Sequence, residues 1–120
     1  MVDGAHNGHG VTALKASLES MYPNERFCFY LAVMADKDYL TMIEEIIPLA
    51  YDFTTVALEN ERAEQAEVLS DCIKARGVTV NQIASVKELV GILKKSNKHK
   101  NIVFGSLYFV GEVKEYFLTL

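Results

Sequence analysis

Four polar stretches hold most of the side chains that could do chemistry: DGAHNGHG (residues 3–10), ADKD (35–38), ENERA (59–63) and the pair Gly105-Ser106. In the first, glycines let backbone approach a ligand closely, and the amides of a following helix attract anions. An aspartate there, Asp3, could accept both hydroxyls of a ribose. The string is neither GxGxxG nor the GxxxxGK[ST] phosphate loop. Its composition fits a nucleotide-binding edge and a plain capped turn equally. A metal site would use His6 and His9 with Asp3. Histidines three apart can share a helix face, but spacing places no third strong ligand.

The other stretches are also double-edged. Lys37 stands between Asp36 and Asp38. That arrangement suits a solvated charge cluster with one aspartate capping a helix, or a lysine reaching a carboxylate or phosphate. Ser106 is a turn residue or a hydroxyl donor. Arg62 is expected in the first turn of a helix, where a cation opposes the dipole. It is a surface arginine, or one that faces an anion.

These residues need elements to hold them. Val11, Leu14, Leu18 and Met21 lie on one helical face, which Pro23 and Asn24 end. FCFYLAVMA (27–35) is a continuous apolar run suited to a strand buried on both faces. A helix follows with the stripe Tyr39, Leu40, Ile43, Ile46 and Ile47, capped by Asp36 or Asp38 and closed by Pro48. FTTVAL (53–58) reads as a second strand. The next helix carries Ala66, Leu69 and Ile73, with Asn60 as candidate N-cap and Gly77 as the glycine past its end. Residues 78–80 form a short strand candidate. Ser85 and Glu88 form a capping box ahead of Val86, Leu89, Val90 and Leu93. Residues 101–104 are the last strand. Phe109, Val110, Val113, Tyr116 and Phe117 fit a final helix.

Strand and helix alternate with short connections, so the fold class is α/β: a Rossmann-like, open, mostly parallel sheet with helices on both faces. Ligands bind such sheets at the carboxyl ends of the strands, where all four polar stretches fall. Tyrosines and phenylalanines at helical or strand spacing read as core rather than a stacking platform. Only Met1 and Val2 precede DGAHN, so the first strand is expected to be truncated.

Composition narrows the function classes. The chain has 120 residues, 50% of them hydrophobic, as one globular domain does. Lysine and arginine number 12 against 16 aspartates and glutamates, with no basic stripe to track a phosphate backbone, which argues against nucleic-acid binding. The densest basic stretch, KKSNKHK (94–100), reads as a solvated helix end. Cys28 and Cys72 lack any ligand spacing and suit reduced thiols in a cytoplasmic protein. No apolar stretch reaches the roughly 20 residues of a membrane span, and no signal-peptide pattern stands at the N-terminus.

DGAHN before a helix, then VMADKDY, ENERAEQAEVL and FGSLYFVGEVKEY, in this order and at these separations, resemble the C-terminal domain of folylpolyglutamate synthases, the bifunctional dihydrofolate synthase form included. Those enzymes are a branch of the Mur ligase superfamily. The resemblance covers essentially residues 1–120. It implies an ATP- and magnesium-dependent ligase that joins L-glutamate to the γ-carboxyl of a folate through an acyl phosphate. It also implies a separate central ATPase domain that carries the phosphate loop, the magnesium ligands and most of the folate site. Matched residue by residue, the resemblance assigns Asp3 to the ATP ribose, His6 to the nucleotide and Asn7 to the same motif. It assigns Lys37 to the carboxylate of the incoming amino acid, Ser106 to the same glutamate, and Arg62 to its vicinity.

The chain departs from that family at two positions. Gly8 stands where proline usually follows DGAHN, and Glu61 replaces the proline of an asparagine-proline-arginine run. Proline fixes φ and glycine leaves it free, so loop rigidity beside the nucleotide is the property at stake. Two other readings compete. One is a stand-alone, non-catalytic α/β module that binds a nucleotide or amino acid; the other is the same domain of another Mur-type ligase. A receiver-type signalling domain would need a lysine after the last strand, where Gly105-Ser106 stands instead.

Overall fold

In the computed structural model of the chain, residues 3–95 and 100–119 are described. Helix α1 (Gly8–Met21) precedes strand β1 (Phe27–Leu31). Helix α2 (Tyr39–Ile46) and a 3-10 turn (Ile47–Leu49) lead to β2 (Ala50–Val56). Then come α3 (Ala66–Lys74), β3 (Val80–Ile83), α4 (Val86–Lys95), β4 (Asn101–Phe104) and α5 (Leu107–Thr119). The four strands form one sheet in the order β3-β2-β1-β4, every neighbour pair parallel.

β1 shows why its continuous apolar run was needed. It has a strand on each side, and its side chains alternate between two cores. Phe27, Phe29 and Leu31 face α1, α2 and α3, while Tyr30 and, just past the strand, Ala32 face α4 and α5. Phe29 sits at the centre of the first core, with ring centroids 5.4 Å from Phe53 and 5.6 Å from Phe104. Connections through α2 and α3 build the sheet outward from β1 to β3. The connection through α4 returns across the other face to β4. The chain therefore switches direction between β1 and β4, and the loops after those two strands diverge around a crevice.

The N-terminal segment lies along the other edge of β4. Asp3 N–H donates to the Val103 carbonyl at 2.9 Å, and Gly105 N–H donates to the Ala5 carbonyl at 2.8 Å. Residues 3–5 thus act as a short strand-like strip that fixes DGAHN beside the tip of β4.

Several sequence expectations shift. β3 covers Val80–Ile83 rather than 78–80, and β2 begins at Ala50 and ends at Val56. In α1, Val11, Leu14 and Leu18 are buried but Met21 is 50% exposed, because the helix ends there. In α2, Met42 joins Ile43 and Ile46 in the core and Leu40 is exposed, a change of helical phase. α3 starts at Ala66 after Gln65, so Asn60 is no N-cap and Arg62 is not helical. Tyr51, Tyr108 and Phe117 are exposed rather than core. The capping box at α4 is half formed as expected: Ser85 Oγ accepts from Glu88 N–H at 3.1 Å. Glu88 reaches back to Ala84 N–H rather than to Ser85. Of the basic stretch 94–100, residues 96–99 lie outside the described residues; Lys94 closes α4 with its ammonium over the Phe117 ring.

Candidate functional site

Each polar stretch is held by local hydrogen bonds that its residue types supply. In DGAHN, Asp3 Oδ1 accepts from Ala5 N–H at 2.8 Å, an Asx turn. Asn7 is the N-cap of α1, extended at φ −152° and ψ 175°, and its Oδ1 accepts from Gly10 N–H at 2.8 Å. His6 projects between these turns. Its Nδ1–H donates to the Gly4 carbonyl at 2.9 Å. A carbonyl can only accept, so Nδ1 is the donor in this contact.

Ser106 is 4% exposed and caps α5, its Oγ accepting from Phe109 N–H at 3.4 Å. Gly105, just before it, holds φ +119°. A Cβ there would stand 2.5 Å from the Ala32 carbonyl oxygen, so only glycine lets the β4 tip pass so close to the loop after β1.

Lys37 and Arg62 are positioned by an unexpected feature. The loop after β1 and the loop after β2 pair with each other. Met34 and Ala63 form an antiparallel bridge, with Ala35 N–H donating to the Arg62 carbonyl at 2.8 Å and Glu64 N–H to the Val33 carbonyl at 2.9 Å. Asn60 Oδ1 accepts from Arg62 N–H at 2.8 Å, and Ala63 N–H closes a turn on the Asn60 carbonyl. Asp38 caps α2, accepting from the Thr41 amide and hydroxyl.

Two cavities result at the carboxyl end of the sheet. One, of about 390 Å³, is lined by Asp3 through Asn7, with Gly10, Ala13, Leu14 and Ser17 of α1. The other, of about 380 Å³, brings together His6, Met34, Lys37, Asn60, Arg62, Gly105, Ser106, Leu107 and Tyr108. All six candidate residues are therefore accounted for. Asp3 and Asn7 line the first cavity, Lys37, Arg62 and Ser106 line the second, and His6 lines both. The second holds a lysine, an arginine, a histidine and a buried hydroxyl and, among the described residues, has no carboxylate in its wall, a donor set for an anion. Sequence reasoning missed Asn60 and Tyr108 as wall residues. Their adjacency to Arg62 and Ser106 was the available signal.

The metal reading of Asp3, His6 and His9 gains no support. Among the described residues no three histidine, cysteine or acidic side chains come together as a metal-binding group. Cys28 and Cys72 both remain thiols. No described helix is long and apolar enough to cross a membrane.

Comparison with known proteins fits this geometry. A dihydrofolate synthase/folylpolyglutamate synthase of Bacillus subtilis (strain 168) is 24% identical over 116 residues, covering 95% of this chain and 26% of that protein. E. coli FolC, solved in complex with ADP, superposes with a TM-score of 0.83 at 23% identity, over 98% of this chain and 29% of its own. The folylpolyglutamate synthase of Thermotoga maritima gives 0.82 at 26% identity, over 98% and 27%. The chain thus spans about a quarter of the length of the curated relative it matches. The family model for the Mur ligase glutamate ligase domain matches residues 1–106. With that match over most of its length, and its polar loops gathered at the switch point of a parallel sheet, the chain belongs to the Mur ligase glutamate ligase domain family.

Proposed function

We propose that this domain is the glutamate-holding part of an ATP-dependent ligase that adds L-glutamate to the γ-carboxyl of a folate, working with a central ATPase domain. The observation that carries this reading is the convergence of His6, Lys37, Arg62 and Ser106 on one cavity, with His6 shared with the cavity of Asp3 and Asn7. Lys37 and Arg62 neutralise the carboxylates of the amino acid, and the Ser106 hydroxyl donates a hydrogen bond to it. Asp3 holds the ribose hydroxyls of ATP, while His6 and Asn7 complete the nucleotide edge.

His6 belongs to both walls, which puts the phosphate end of the nucleotide next to the amino acid. Ligation through an acyl phosphate needs that proximity, together with exclusion of water that would hydrolyse the intermediate. Magnesium is assigned to the ATPase domain, as the family resemblance implies. The E. coli relative was solved as an ADP complex, in keeping with a nucleotide-dependent ligase. A cytoplasmic setting suits the two thiols and the substrates.

A domain that supplies one wall of such a site binds without turning over. The purified 120-residue chain is expected to show ATP-induced NMR shifts at residues 3–10 that Asp3→Ala abolishes, and no ATP- and glutamate-dependent turnover. Clear turnover by this chain alone would overturn the division of labour. Silence of residues 3–10 at millimolar ATP would overturn the claim that this domain holds the nucleotide without its partner.

A further inference from the structure

The two cationic side chains of the second cavity come from different loops, and both loops are exposed at Lys37 and Arg62. Backbone pairing through Met34 and Ala63 joins them, but a single bridge of two hydrogen bonds is a weak tie. A side-chain contact reinforces it. The Tyr39 hydroxyl donates to Glu64 Oε2 at 2.9 Å. Glu64 is itself anchored, its Oε1 accepting from Gln65 N–H at 2.9 Å just ahead of α3. Tyr39 is the first residue of α2, two positions past Lys37, and Glu64 lies two positions past Arg62.

We propose that the Tyr39–Glu64 hydrogen bond is a latch that ties the start of α2 to the start of α3 and so positions Lys37 and Arg62 across the anion cavity. Neither residue lines that cavity, so both are positioning residues that act through the lysine and the arginine. The ligand part of the claim rests on the glutamate reading above.

The contact has the features of a purposeful link. It is partly buried, and its acceptor is charged, which makes it stronger than a neutral pair. The carboxylate acceptor also pushes the Tyr39 phenol above its ordinary pKa, so the hydroxyl stays a donor across the physiological range. Opening the latch would let each loop move independently and would separate the two cations by the loops' own motion. Tyr39 packs against the first core, but Tyr39→Phe keeps the ring and removes only the hydroxyl, so the packing around Phe29, Phe53 and Phe104 is preserved.

The test combines amide exchange with ligand titration on the 120-residue chain, comparing wild type, Tyr39→Phe, Glu64→Ala and the double variant. In Tyr39→Phe, exchange at the Ala35 and Glu64 amides should quicken by about 2- to 10-fold, as expected for one lost hydrogen bond, with the Phe29 and Leu31 amides unchanged. L-glutamate should bind more weakly by a similar factor. Adding Tyr39→Phe to Glu64→Ala should cost little more than Glu64→Ala alone, because the carboxylate that accepts from the hydroxyl is already gone. Unchanged exchange at Ala35 and Glu64 would overturn the latch. Equal acceleration at all four amides would overturn it too, since that is general loosening. If wild type ignores L-glutamate while the local exchange effect is present, the latch stands and the glutamate reading fails.

Discussion

At the residue scale, the second cavity depends on a position without a side chain. Gly105 turns the chain from β4 into the Ser106 cap with φ +119°, and a methyl group there would also press within 2.7 Å of Leu31 Cδ1. Both the left-handed backbone and the crowding oppose any L side chain. Gly105→Ala is therefore expected to lose at least about 2 kcal/mol of stability, measured by chemical denaturation. A midpoint within error of wild type would show that the β4 tip can move away from the loop after β1. Ser106 and Asn7 carry a different lesson. Each caps a helix and each faces a cavity, so capping and ligand binding were never exclusive readings. Helix-start amides and the side chains that satisfy them stand where an anion would also sit. The sequence showed both possibilities at once, and the fold adds a cavity wall shared at His6.

At the element scale, one of the two missing prolines acquires a definite place. Gly8 is the first residue of α1, where proline's fixed φ is favourable and its absent N–H is harmless. Asn7 before it is extended, as a residue preceding proline must be, and nothing lies within 4 Å of a Cβ added at Gly8. Gly8→Pro is expected to raise stability by about 0.4–1 kcal/mol through the unfolded chain, read as a higher thermal midpoint. A lower midpoint would mean that the helix start is held differently.

Helix α5 offers a second test. Glu112 Oε1 is buried without a hydrogen-bond partner among the described residues, and burial first, then Glu59 and Glu115, raise its pKa. A carboxyl with a raised folded pKa binds more protons in the native state, so stability falls as pH rises from the unfolded pKa through the folded one. Glu112→Gln should then raise the melting temperature at pH 7 and leave it nearly unchanged at acid pH, where Glu112 is protonated in both states. An equal effect at both pH values would assign the change to packing instead.

Elements also show what sequence reading can reach. The buried faces of α1 and α3 were legible from Val11, Leu14 and Leu18 and from Leu69 and Ile73, because burial follows local periodicity there. The start of α3 was misplaced because Asn60 looks like a cap. It is instead part of a turn that a long-range bridge to Met34 stabilises, and no local pattern encodes a contact with a distant loop. β3 slid because it is an outer strand of the sheet, with exposed Asn81 and Gln82 in place of an apolar run.

At the scale of the whole molecule, the order β3-β2-β1-β4 explains why residues far apart in the chain share a wall. Parallel strands send every loop of interest to one end, and the change of direction between β1 and β4 opens the crevice there. The strip of residues 3–5 along β4 then brings DGAHN to the same place. Legibility ends at this scale. Alternation of strands and helices indicated the class, and the family resemblance indicated the residues. That His6 belongs to two cavities, and that two loops pair to present Lys37 and Arg62, are properties of the assembled chain.

The central claim is that the crevice holds an acidic amino acid beside a nucleotide. Its most direct test is titration of the isotope-labelled 120-residue chain with L-glutamate, with and without ATP, followed residue by residue by NMR. Shifts should concentrate at His6, Lys37, Arg62 and Ser106, and ATP should add changes at Asp3 and Asn7. Shifts confined to the opposite end of the sheet, around Tyr22, Arg26 and Pro48, would contradict the account, as would no response of the crevice to saturating L-glutamate.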